Sequence, residues 1–140
     1  MFFGEYKHTL DEKGRIAIPA KFRNMLGEGA VVTRGLDNCL FLYSQAAWEK
    51  QAEKMANLPP EKEKVRSYTR FMFSGAMEVE FDSQGRINLP EYLRTFAALK
   101  KKAIVAGLFD RLEIWDEEAW EAYKKVAEGS SAEIAESLAS

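Results

Sequence analysis

Two arginines stand in the same local frame. Arg15 and Arg86 each follow a glycine, Gly14 or Gly85, and each comes four positions after an aspartate, Asp11 or Asp82. An aspartate in such a turn accepts from the backbone amide two residues on, and the glycine supplies the positive φ of a tight hairpin. The turn therefore accounts for the Asp and the Gly, and nothing in it calls for an arginine. A long cation at a hairpin tip projects toward solvent, where it suits phosphate oxygens or the edge of a guanine in a major groove. Short β-ribbons are readers of that groove. The carboxylates Asp11, Glu12 and Asp82 invite an acid/base reading, but catalysis needs an orienting partner and a pocket that excludes water, and hairpin tips offer neither. His8 falls opposite Val79 and Cys39 opposite Arg111 when the two halves are aligned, so neither carries a duplicated role. There is no phosphate-cradling glycine loop, no Ser-His-Asp set and no His/Cys spacing for a metal. The expected chemistry is binding rather than catalysis, with no cofactor and no metal.

The elements that must position these arginines come from an internal duplication. At an offset of 71, Met1–Arg23 aligns with Met72–Arg94: Phe2 meets Phe73, Gly4 meets Gly75, Asp11 meets Asp82, and Gly14-Arg15 meets Gly85-Arg86. Ile16, Ile18, Pro19 and Arg23 meet Ile87, Leu89, Pro90 and Arg94. The offset then becomes 72, where Gly35-Leu36 meets Gly107-Leu108 and Trp48 meets Trp120. Within each copy the pattern predicts a β-β-α-β-β-α unit. Tyr6–Leu10 and Arg15–Ile18 form a hairpin around the Asp11–Gly14 turn. Pro19 opens a helix over Ala20–Leu26 that Gly27 stops. Ala30–Thr33 and Leu40–Tyr43 form a second hairpin. Ser44 caps a helix over Gln45–Asn57, and Asp116 caps its counterpart. Strands of four to six residues leave a unit with a small core and open edges, so the two copies should interlock as one body.

Composition sets the remaining bounds. The chain has 140 residues, 46% apolar and 30% charged, which describes an ordinary globular protein. No apolar run approaches the roughly 20 residues of a membrane span, and no signal-peptide core follows the start. One cysteine excludes an intramolecular disulfide framework and points to the cytoplasm. The net charge is −2, yet residues 1–34 carry six basic against four acidic side chains, and residues 72–140 carry eight against thirteen. If the chain meets a polyanion, the first third is the expected place. Across the alignment Lys7 becomes Glu78, Thr9 becomes Glu80, Lys13 becomes Gln84 and Lys21 becomes Tyr92, so the first copy should dominate such binding. Phe41, Tyr43, Trp48, Trp115 and Trp120 read as core or protomer-interface residues. Lys100-Lys101-Lys102, without a counterpart in the first copy, reads as a solvated loop before a strand at Ala103–Ala106, with contact to a phosphate backbone as the lesser alternative.

The stretch Asp11-Glu12-Lys13-Gly14-Arg15-Ile16-Ala17-Ile18-Pro19 resembles the AbrB-like swapped-hairpin DNA-binding motif of bacterial transition-state regulators and some antitoxins. Two copies in one chain resemble the MraZ family of bacterial transcriptional regulators. Phe2-Phe3-Gly4, Gly35-Leu36-Asp37-Asn38-Cys39-Leu40, Phe73-Ser74-Gly75-Ala76 and Leu112-Glu113-Ile114-Trp115 agree, and the likeness runs to about Val126. The resemblance implies an α+β fold of two tandem, interlocked repeats with short strands around a small barrel-like core. Its parts are repeat 1 at 1–58, a linker helix at 59–71, repeat 2 at 72–128 and a tail at 129–140. It implies a cytoplasmic, nucleoid-associated, non-enzymatic regulator, usually a repressor. Such a protein forms a closed homo-oligomeric ring and binds direct repeats in double-stranded DNA upstream of the division and cell-wall gene cluster, its own operon included. No membrane and no small-molecule substrate are expected. Arg15 and Arg86 are the expected DNA-binding residues, Lys13 and Lys7 add phosphate contacts, and Asp11, Gly14, Asp82 and Gly85 shape the turns. The alternative is an antitoxin-like module whose main partner is another protein.

Overall fold

The computed structural model describes residues 1–139; Ser140, the last residue of the expected tail, lies outside the described residues. In chain order the first copy contributes β1 (Glu5–Thr9), β2 (Arg15–Ala17), α1 (Ala20–Leu26), β3 (Gly29–Arg34), β4 (Leu40–Ser44) and α2 (Gln45–Ala56). Helix α3 (Glu63–Gly75) leads into β5 (Met77–Glu80), β6 (Arg86–Asn88), α4 (Glu91–Phe96), β7 (Lys102–Gly107), β8 (Leu112–Asp116), α5 (Glu117–Gly129) and α6 (Ser131–Ala139). The local signals act at the expected positions. Pro19 precedes α1, and Gly27 ends it at φ 85° with its N–H donating to the Arg23 carbonyl. Ser44 and Asp116 accept from the Ala47 and Ala119 amides and so cap α2 and α5.

Pairing departs from the simple hairpin picture. The Asp11–Gly14 turn forms, and the Asp11 N–H donates to the Arg15 carbonyl at 3.0 Å. The strands on either side of it, however, do not go on to pair with each other. β1 pairs with β7 and β5 pairs with β3, so each copy lends its first strand to the other. β2 and β6 form a separate two-stranded ribbon with Ile16 opposite Ile87. The main sheet is antiparallel in the order β1-β7-β8-β4-β3-β5. Equivalent residues face each other at Ile16/Ile87 and at Phe41/Glu113, so a pseudo-twofold axis runs through the ribbon and the sheet centre. Ala30 pairs with Ser44 as Ala103 pairs with Asp116, so the copies are 73 positions apart along this strand instead of 72.

The exchange follows from burial. Ile16, Ile18, Ile87 and Leu89 are fully buried between ribbon and sheet with Phe22, Leu40, Leu42, Leu93, Leu112 and Ile114. A strand of three residues cannot enclose its own isoleucine, whereas two copies crossing at Ile16/Ile87 cover both. The opposite sheet face packs Phe41, Tyr43, Met55, Met72, Ile104 and Trp115 beneath α2, α3 and α5. With both faces covered, the central strands read as near-continuous apolar runs. The sheet keeps β1 and β5 as edges, so the core is enclosed without a closed barrel. Helix α3 ends where side chains take up its last carbonyls: Thr33 Oγ1 donates to Met72 O, Arg34 Nη1 to Phe71 O and Tyr92 Oη to Gly75 O.

Candidate nucleic-acid interface

Each tip is built around one carboxylate. Asp11 Oδ1 accepts from the backbone amides of Lys13 and Arg15 at 3.0 and 2.9 Å, and Oδ2 accepts from Arg15 Nε at 2.6 Å. Asp82 repeats the pattern with Gln84 N, Arg86 N and Arg86 Nε, all at 2.9 Å. The Arg15 amide, then its guanidinium, holds the Asp11 carboxyl below the ordinary range; Arg86 does the same to Asp82. The arginine is therefore part of the turn's lock, paired with its own aspartate and only partly exposed, rather than a free cation projecting into solvent. Only Nε is spent in that lock. The two terminal nitrogens of Arg15 have no protein partner among the described residues, and the side chain is one-third exposed. Arg86 differs: its Nη1 also lies 3.7 Å from Asp11 Oδ2, across the pseudo-twofold axis.

The ribbon turns Arg15, Ala17, Arg86 and Asn88 away from the core, with Arg15 opposite Asn88 and Ala17 opposite Arg86. Gly14 and Gly85 join the copies as well as making turns. The Gly14 carbonyl accepts from Leu89 N at 2.8 Å, and the Gly85 carbonyl accepts from Ile18 N at 3.1 Å. Both glycines have positive φ, 85° and 74°. A Cβ on Gly14 would stand 2.7 Å from Arg94 Nε and 2.9 Å from Leu89 O, and one on Gly85 would strike the Arg23 guanidinium. So Arg94 crosses the first copy's glycine and Arg23 crosses the second's, each also donating within its own copy, to Leu89 O and Ile18 O just past the ribbon strands. Sequence reasoning gave these two arginines no role. Their recurrence at the repeat offset was the available signal, and their crossed contacts could not be read from it.

The remaining expected residues divide. Lys13 is exposed on the first tip, where the second carries Gln84. Lys7 is not brought to the tips. Tyr6 packs edge-on against Phe22 at 5.4 Å between ring centroids, so the neighbouring Lys7 leaves β1 on the face away from the ribbon. Asp11 and Asp82 line separate open depressions at the two tips rather than one enclosed pocket. No group of three His, Cys, Asp or Glu among the described residues could hold a metal ion. None of the described helices is long and apolar enough to cross a membrane.

Comparison with known proteins places this architecture. The family model "MraZ protein, putative antitoxin-like" matches twice, over residues 1–71 and 72–140. The transcriptional regulator MraZ of Ligilactobacillus salivarius is 51% identical over 138 residues, covering 99% of this chain and 96% of that protein. The proteins of the same name from Natranaerobius thermophilus and Halothermothrix orenii are 49% and 50% identical over the same share.

Proposed function

The chain belongs to the MraZ family, and from that premise we propose that it is a double-stranded-DNA-binding transcriptional regulator whose ribbon face carries the contact. One observation supports this most: two tips, related by the pseudo-twofold axis, each hold an arginine by Nε, and at the first tip the terminal nitrogens of Arg15 have no protein partner among the described residues, whereas Arg86 Nη1 also meets Asp11. A fork fixed in this way loses little entropy on meeting a phosphate or a guanine edge. Relatives named as regulators, not enzymes, agree with a reading that needs no catalytic step. Arg15, Arg86 and Lys13 form the contact; Lys7, on the sheet face away from the ribbon, takes no part in it. Asp11, Gly14, Asp82 and Gly85 hold the tips in shape. The repeats are those at 1–58 and 72–128, bridged by the linker at 59–71 and followed by the tail at 129–140.

One protomer offers few cations, so tight binding at physiological salt calls for several protomers together. A closed ring presenting first tips at regular intervals turns later contacts into intramolecular ones. The matching DNA is a set of direct repeats about 10–10.5 bp apart, upstream of the chain's own operon and the division and cell-wall genes, where occupancy represses and marks the protein as nucleoid-associated. The test is a titration of a labelled duplex carrying the DNA upstream of the protein's own gene against a shuffled duplex of equal length. Preference for the upstream duplex is expected, rising steeply from one repeat to three. Equal affinity for both duplexes refutes sequence-specific regulation. The antitoxin-like wording of the family description favours a second reading, in which a small protein copurifies tightly and DNA does not bind.

A further inference from the structure

The lysine run at 100–102 sits in the acidic half of the sequence, yet strand exchange carries it elsewhere. The link between α1 and β3 is two residues, Gly27-Glu28, while the equivalent link between α4 and β7 is five, residues 97–101. The longer link ends in Lys100 and Lys101. Because β7 pairs with β1, the Lys101 carbonyl accepts from Leu10 N at 2.8 Å, one residue before Asp11. Lys100 and Lys101 thus line the depression at the first tip together with Arg94, Asp11 and Glu12. The equivalent depression at the second tip has Arg23 against Glu28 and Asp82. Within these depressions three cations stand with two carboxylates at one tip and one cation with two carboxylates at the other, while Lys100 and Lys101 also border a neighbouring depression lined by Asp116, Glu117 and Glu118. Lys102 is not part of this group. It follows the Lys7 face of the sheet, opposite Thr9.

We propose that Lys100 and Lys101 form a second phosphate-binding element that grips the DNA backbone beside the first tip. The proposal rests on the DNA-binding function argued above. Lys101 is exposed and its side chain has no partner among the described residues. Lys100 pairs with Glu118 at 3.2 Å, but both side chains are largely exposed, and such a pair yields readily to a stronger anion. Lysine, a compact charge on a flexible stem, suits sequence-independent phosphate contact, while the fixed Arg15 fork suits a base edge. The two copies are therefore given different tasks by their links: the second copy's link anchors the DNA that the first copy's tip reads.

The experiment compares the wild-type chain with a Lys100→Gln/Lys101→Gln variant and, at the opposite tip, with Glu28→Lys. Affinities for the upstream duplex and for a shuffled duplex are measured at salt concentrations from about 50 to 200 mM, with oligomer size checked by gel filtration. The double variant should bind both duplexes more weakly by the same factor, about 3- to 10-fold, and the salt slope should fall by roughly 0.9 for each phosphate that is no longer neutralised. Glu28→Lys should raise both affinities and steepen the slope. If the wild type binds and the double variant keeps its slope and affinities, the lysine element is refuted while the regulator reading stands. If the wild type binds neither duplex, the regulator reading itself fails.

Discussion

Replacing Arg15 and Arg86 separately by alanine distinguishes a reading arginine from a supporting one. The two share a frame but not an electrostatic setting. Arg15 answers to one carboxylate and is one-third exposed, whereas Arg86 lies near both Asp82 and Asp11 and is one-quarter exposed. The strand leading to Arg86 also carries Glu78 and Glu80 where the first copy has Lys7 and Thr9. Arg15→Ala should therefore cost about 1–3 kcal/mol per engaged protomer on the upstream duplex, roughly 5- to 150-fold, with little change on shuffled DNA. Arg86→Ala should cost less and act equally on both duplexes, lowering the salt slope by about one, as removal of a single phosphate-neutralising cation does. Arg15→Lys keeps the charge but cannot bond Asp11 and present a planar fork at once. It should keep the wild-type salt slope but not the preference for the upstream duplex. Fluorescence anisotropy across a salt series gives affinity, slope and preference from one data set, with gel filtration verifying the oligomer. A larger loss for Arg86→Ala than for Arg15→Ala, with intact oligomers, refutes the ranking. Unchanged binding for both variants refutes the interface.

Three further outcomes follow from the same geometry. Gly14→Ala should destabilise the fold by about 2–3 kcal/mol, since a positive φ strains an L-residue and the new Cβ presses on Leu89 O. Gly29→Ala, whose Cβ would meet Val79 O at an ordinary 3.4 Å, should be near neutral in urea denaturation; equal costs for the two would remove the packing argument. Asp11 and Asp82 have folded pKa values below their unfolded ones, so their stabilisation is present above about pH 4 and is lost as pH falls through the folded values. Urea midpoints measured from about pH 6 down to about pH 2.5 should fall on acidification, less steeply for Asp11→Asn/Asp82→Asn, and an equal fall in that variant would contradict the assignment. Cys39 is buried, its Sγ lies 3.1 Å from the Leu36 carbonyl, and burial pushes its thiol pKa up. Iodoacetamide at about pH 8 should label it only in denaturant, and labelling of the folded chain at a free-thiol rate would show that the loop opens.

Features set by neighbours in the chain were legible in the sequence. Pro19 and Gly27 bound α1 because a fixed φ and a positive φ act within one or two residues. Ser44 and Asp116 cap helices three residues away, and the Asp-x-x-Gly-Arg frame closes on itself over five positions. The duplication was equally plain, as were the fold class and the family. Pairing was different. A period-two pattern states which face of a strand is buried, never which strand lies beside it. In a duplicated chain β1 finds much the same local pattern in its own copy as in the other. What decided the outcome was enclosure: Ile16 and Ile87 are covered only where the copies cross. From that crossing come the Arg94 contact over Gly14, the Arg23 contact over Gly85 and the delivery of Lys100 and Lys101 to the first tip. These contacts join residues about 60 to 90 positions apart, and no local preference spans such a distance; only the burial of a shared core brings them together.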